Sequence, residues 1–200
     1  MAALFAALSN ALQTSFTANT SANSVTLASP SSLAGLYVGL PVVGGSVPEG
    51  ATIATLSPAL TLSLPALATA TGVALLSGVM TFGRRVVPWS EVAAQPALFL
   101  RDGAFEELEY LQGILQRQTL RAEIWLYSDA GSNPDAVPAS AINALLDAVQ
   151  SVLAPDDPQS GRYTIGGLVE WCRMEGRVDK DPGDISGQAM AVADVLITVP

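Results

Sequence analysis

The chain predicts an α+β protein, and three observations carry the prediction. Within residues 119–127, Leu120, Ala122, Ile124 and Leu126 alternate with Thr119, Arg121, Glu123, Trp125 and Tyr127. That period of two marks a strand with one buried face. Across residues 138–153, Ile142, Leu145, Leu146, Val149, Val152 and Leu153 recur at three- and four-residue steps, the apolar stripe of an amphipathic helix. A strand feeding a helix that can lie across its apolar face makes a two-layer core. Third, charge is partitioned along the chain. Residues 1–83 hold one charged side chain, Glu49, while the rest hold the other 17 acids and all nine bases. This step in composition near Gly83 predicts a domain junction.

Composition narrows the function classes. Two hundred residues allow one or two domains. A net charge of −9 with a single lysine, Lys180, argues against a nucleic-acid binder, which needs clustered cations to displace counterions from phosphate. There is no histidine, so the commonest general base and metal ligand at neutral pH is missing. No catalytic constellation sits on the strand and helix, and the class predicted is non-enzymatic, with no cofactor. The single cysteine, Cys172, lies in a strand-like run and reads as a buried structural thiol. Glu106, Glu107 and Glu109, and the loop acids Asp179, Asp181 and Asp184, lack the regular ligand spacing of a calcium loop. They read as solvated, and no metal site is predicted. The N-terminus has no basic stretch before its apolar run and makes a poor signal peptide. The uncharged run 59–82 is interrupted by Pro65, Gly72 and Gly78 and alternates locally, which predicts strands rather than a membrane span.

Taken in order, residues 2–13 predict a short helix with Leu4, Phe5, Leu8 and Leu12 on one face. Residues 15–80 predict a small β unit, with strands at 24–28, 36–43, 51–56, 59–64 and 72–76 separated by Gly, Pro and Ser turn signals. With so few charges, Ser and Thr hydroxyls must solvate its surface, or a partner must cover it. Residues 82–89 predict a strand ending at Pro88. Ser90 is placed to cap a short helix through 91–94, and 97–101 begin another short strand. Residues 103–114 fit either a short helix or a loop. The sequence 155–161, with Pro155, Asp156, Asp157, Pro158 and Gly161, stops the second helix. Residues 168–177 and 188–199 then predict an antiparallel pair joined by the polar loop 179–184.

From Arg84 onward the order resembles the tail terminator (tail completion) proteins of long-tailed bacteriophages. The resemblance is carried by Arg84, Arg85, Pro88 and Trp89, the segment 95–100 beginning Gln95-Pro96, the strand 120–127 and the helix 142–153. The strand start at Gly166-Gly167 and the final strand ending at Pro200 complete it. With helix 2–13 it covers roughly two thirds of the chain. The run from Gly39 through Pro41 and Gly44 to Val47, Pro48, Gly50 and Ile53 resembles a small β module of tailed-phage structural proteins.

The resemblance implies a mostly antiparallel sheet flanked by helices, built from residues 1–14 and 82–200. An all-β domain, 15–81, is inserted after the first helix. It also implies a homo-oligomeric, hexameric ring in the tail or neck of the virion. Such a ring caps the tail tube, stops its polymerisation and meets the head–tail connector or stopper protein. DNA passes through without specific binding, and no membrane is involved. Neighbouring roles are a head–tail adaptor or stopper, or another neck or minor tail protein. A glycan-binding module is disfavoured by the scarcity of aromatics in 15–80. The candidate contact residues are Arg84, Arg85, Trp89, Arg121, Glu123, Trp125, Arg173, Glu175 and Arg177. The mixed-charge positions among them fit either a subunit contact or an ordinary solvated sheet face. Trp125 and Trp171 are expected beneath the first helix.

Overall fold

The computed structural model describes residues 1–36, 38–130, 139–156, 159–183 and 187–199, with backbone alone at 104–106, 111, 115, 139 and 141. Pro138, Asp157, Pro158, Asp184 and Pro200 lie outside the described residues, as do the side chains of Phe105 and Glu106. The fold is α+β, with two α-helices among the described residues and predominantly antiparallel strands. The chain divides into two compact units, one of Met1–Ser9 and Thr81–Pro200, the other of Asn10–Met80.

In the first unit, helix α1 (Ala2–Ala11) buries Leu4 and Leu8. Phe5 meets Phe82 edge to face at 6.4 Å. A five-stranded sheet follows, in the order β6 (Thr81–Gly83), β7 (Ala97–Leu111), β8 (Ile114–Asp129), β10 (Gln188–Val199), β9 (Trp171–Asp181). Among the described residues, only β6 and β7 pair in parallel. Strand β8 is central, pairing antiparallel with β7 and β10. Helix α2 (Ala139–Val152) packs on β8 and β10. Its buried Ile142, Leu145, Leu146 and Val149 belong to the same core as Leu98, Leu100, Ala122, Ile124, Leu126, Ala191, Ala193, Val195 and Ile197. The short side chains of Ala122, Ala191 and Ala193 leave room for the helix to approach, since interiors fill to near-crystalline density.

Several expected boundaries move. The segment expected as a strand through Pro88 leaves the sheet after Gly83. A Cβ at Gly83 would lie 2.5 Å from the Phe99 ring, so the backbone there passes close against that ring. Beyond it, Val86, Val87 and Val92 pack against Ala97, Phe99 and Tyr127, so these valines serve as a cover rather than as strand residues. The expected short helix 91–94 is a single 3-10 turn at Trp89–Glu91 with no side-chain cap. The short strand at 97–101 runs on to Leu111, and residues 103–114 belong to a long hairpin rather than a helix or loop. Gln112 and Gly113 make its turn with φ of 52° and 80°, the left-handed pair that a tight hairpin turn requires. At the far edge, β9 begins at Trp171 and takes in Asp179 and Asp181, which were expected in a loop.

In the second unit, β1 (Gln13–Thr20), β5 (Ala70–Gly78) and β2 (Val42–Val43) form a sheet in the order β1-β5-β2, and β3 (Ile53–Thr55) pairs with β4 (Thr61–Leu62). Phe16, Leu27, Leu40, Val42, Ile53, Leu62 and Leu75 share its core. Strand β1 was not expected, because two of its three buried positions are Ala18 and Thr20, too small or polar to register as an alternating pattern. Several hydroxyls, two of them exposed and two buried, satisfy backbone groups. Ser31 and Ser63 accept from the amides of Thr17 and Thr52, while Thr20 and Ser77 donate to the carbonyls of Ala68 and Pro41. Buried or turn backbone needs such partners.

Cys172 is buried on the helix side of the sheet, opposite Ile197. Burial pushes its thiol up to about 12, because low-dielectric surroundings disfavour the thiolate. Since the folded value is raised, this group's contribution to stability declines as pH rises past the unfolded thiol value of about 8.5. We expect no reaction of native protein with a thiol-specific chromogenic disulfide at pH 8, and one equivalent of reaction in denaturant. Rapid native labelling would contradict the burial.

Candidate interaction surface on the five-stranded sheet

The face of the sheet turned away from α2 is built by strand parity. Cross-strand register places Arg121, Leu196 and Arg173 in one row, Arg101, Glu123 and Asp194 in the next, and Phe99, Trp125 and Val192 beyond. Such facing side chains are the unit of sheet stabilisation. One half of this face is covered by residues 86–92, and the other half is open and charged.

Under the cover, Trp125 and Met190 pack with Val86, Val87 and Val92 on the cluster of Ala97, Phe99 and Tyr127. The Tyr127 hydroxyl donates to the Val87 carbonyl at 3.2 Å, and burial raises its ionisation above the ordinary tyrosine value. Trp125 is therefore covered by the segment after β6, correcting the expectation of cover by the first helix. Its indole N–H donates to Glu123 at 2.9 Å. Trp171 carries the Arg173 guanidinium 4.7 Å from its ring centroid, a cation–π contact.

On the open half the charges are paired across and along strands. Arg101 and Glu123 lie 3.6 Å apart, Arg121 and Asp194 3.4 Å. Arg173 donates to Glu175 at 2.7 Å, and Arg177 pairs with Asp179. Sequence parity placed Arg173, Glu175 and Arg177 on one face, but Glu175, Gly176 and Arg177 stand opposite the single residue Asp194. Gly176, at φ 90°, makes this bulge; because its excess is two residues, Met174 and Val178 pair with Val195 and Ala193 and the alternation is kept on either side of it. The structure thus brings Arg121, Glu123 and Arg173 into neighbouring rows and places Arg177 at the bulge, beside Asp179. Arg84 bonds Asp102 at 3.0 Å and lies 5.9 Å from the Phe5 ring centroid. Arg85 and Trp89 are exposed beside the covering segment.

A second charged group was not foreseen. Beyond Gln118, which pairs with Val199 at the end of β10, the β7–β8 hairpin continues as an arm paired only with itself. At its root, Arg117 makes two 3.0 Å hydrogen bonds to the Glu170 carboxylate. Glu109 lies 3.8 Å from Arg117, and Arg162 3.5 Å from Glu170. The arm exposes Leu108, Tyr110 and Ile114, and Leu168 is exposed two residues before Glu170. The Gln112-Gly113 dipeptide was the available signal for this arm. The ion pairs join residues too distant in sequence for any local pattern to reveal.

This constellation can make polar and apolar contacts. Among the described residues, no group of three His, Cys, Asp or Glu side chains is placed to hold a metal ion. Among the same residues, no helix is long and apolar enough to cross a membrane. Tyr127→Phe should cost about 1 kcal/mol of stability in denaturant unfolding, the usual worth of one intramolecular hydrogen bond. Arg121→Ala should stay within about 0.5 kcal/mol, because exposed ion pairs contribute little to folding. Neither a protein-family model nor a curated protein matches the chain.

Proposed function

We propose that this chain is the tail terminator of a long-tailed bacteriophage. It forms a sixfold ring that caps the tail tube, stops its polymerisation and joins the tail to the head connector. In this role it is a virion structural protein rather than an enzyme, and DNA passes its acidic surface without being bound. The observation that carries the reading is the order of elements within one compact unit. A first helix, a short strand, a long hairpin, a helix and an antiparallel pair come together although residues Asn10–Met80 intervene. The resemblance rests on a similar order, with its expected strand at 84–89 replaced by β6 at Thr81–Gly83 and its segment at 95–100 extended into the hairpin.

The intervening residues are an inserted all-β domain in this reading. Their two ends support it. Gln13 pairs with Gly78, and the Val79 amide donates to the Leu12 carbonyl at 2.9 Å. Entry and exit therefore run side by side, and a module with adjacent ends can occupy a loop at little entropic cost. The open charged half of the sheet supplies the polar contacts of a heterologous ring, in which one face of each subunit meets a different face of the next.

Purified protein mixed with its tail-tube protein should give sixfold rings and capped tubes of arrested length in negative stain. A persistent monomer that never binds tube ends would sink the terminator reading. Joining Ser9 to Thr81 through a short flexible linker should leave a folded protein whose circular dichroism and cooperative melting persist. Global unfolding of that deletion would show that 10–80 is not an insertion.

A further inference from the structure

We infer that successive copies of this chain meet head to tail, the hairpin arm of one seated against the segment of the next that bears Arg85 and Trp89. The inference rests on the ring reading and adds a second contact to that of the charged sheet face. Five large apolar or aromatic side chains of the first unit are exposed among the described residues, and they fall into two groups. Leu108, Tyr110 and Ile114, with Leu168, surround the arm and the loop tied to it by Arg117 and Glu170. Tyr110, Ile114 and Leu168 are 60%, 65% and 66% exposed. Trp89, half-exposed, stands alone at the other end of β7, where Ala97 pairs with Thr81. Apolar exposure gathered in one place marks an interaction site more often than scattered residues do.

Charge separates the two groups in a complementary way. The arm displays Glu107 and Glu109, and its one cation, Arg117, is already engaged by Glu170 and Glu109. On the segment that bears Arg85 and Trp89, Arg84 is engaged by Asp102. Arg85 is exposed and, among the described residues, has no ion pair or hydrogen bond. An acidic arm with an apolar tip and a cationic segment with an exposed tryptophan therefore sit on one chain. Tryptophan and arginine are the residue types that dominate interface energies.

A molecule cannot close this contact on itself. Trp89 lies by the Ala97 end of β7 and Tyr110 by its other end, about 40 Å away at 3.3–3.4 Å per residue. The complementary charges carried by one chain point to a second copy as the occupant of each surface; the contact is then heterologous and propagates until the rotation closes a ring. The elements that present the two surfaces are anchored independently. The valines of 86–92 hold the cationic segment on the sheet, and the Arg117–Glu170 pair holds the root of the arm.

The test measures the dissociation midpoint of the full-length assembly by light scattering against concentration. Arg85→Glu and Glu107→Arg should each raise that midpoint roughly tenfold or more, in keeping with measured couplings between close interfacial charges. The double variant, which restores opposite charges between neighbours, should recover most of the loss. Trp89→Ala and Tyr110→Ala should weaken assembly without changing the melting temperature of the subunit. A Trp89→Cys, Tyr110→Cys protein treated with a short bis-maleimide should give a ladder of covalent oligomers. Rings that form normally in all of these variants, and no ladder, would overturn the contact while leaving the terminator reading intact. A wild-type chain that stays monomeric at every concentration would overturn both.

Discussion

Strand β8 is bound on every side, and the first unit depends on that. Its backbone pairs with β7 along one edge and with β10 along the other. Ala122, Ile124 and Leu126 form the floor on which α2 lies, while Trp125 and Tyr127 on the opposite side are roofed by residues 86–92. Because side chains alternate strictly, a slip of one residue would turn Ile124 to the charged face and Glu123 beneath the helix. Fully burying even one large aliphatic chain contributes about 1.5–3 kcal/mol, so such a slip is heavily disfavoured. The register of β8 therefore sets which charges share the outer face, and the candidate surface follows from the core.

That outer face is half apolar and half charged for a local reason. The cover ends with the segment 86–92, so Phe99, Trp125 and Tyr127 are shielded while Arg101, Arg121 and Glu123 are not. Each exposed charge there has an opposite charge nearby on the same sheet. Such pairs contribute little to folding in water, but they let a charged face be approached without leaving a lone ion to desolvate. The lone exposed cation beside the covering segment, Arg85, contrasts with this pattern, and the contrast gives it weight in an assembly.

Legibility tracked one-sided burial. The centre of β8, helix α2 and β10 were visible because each buries one face and wets the other, which writes a period into the sequence. The arm was invisible as a strand because both its faces meet water. In residues 106–110 three glutamates break any apolar alternation, and only the Gln112-Gly113 turn betrays the hairpin. The covering segment misled in the opposite sense. Val86 and Val87 are good strand residues by propensity, yet they are used to roof Tyr127, since β-propensity measures fit to a half-buried surface rather than a backbone preference. For the surface itself, parity correctly grouped Arg121 and Glu123. It could not anticipate the bulge at Gly176 or the pairing of Arg117 with Glu170, which depends on how the end of the sheet meets the loop before β9.

The step in composition near Gly83 has a physical counterpart in how each unit satisfies its polar backbone. In Asn10–Met80 the strands are short, only two to nine residues, so ladders alone leave many amides and carbonyls without partners. Ser and Thr side chains fill that deficit from within, as Ser31, Ser63, Thr20 and Ser77 do. Hydroxyls are both donors and acceptors and are cheap to bury once paired, whereas a charged side chain in so small a unit would have to reach solvent or find a counter-ion. In Thr81–Pro200 the strands are long enough to satisfy most backbone groups by pairing, which frees the outward positions for charge. The nearly uncharged composition of Asn10–Met80 is thus that of a unit stitched together by short polar side chains. Its closure by the adjacent Gln13–Gly78 pair explains how that composition can stop abruptly where the long-stranded sheet begins.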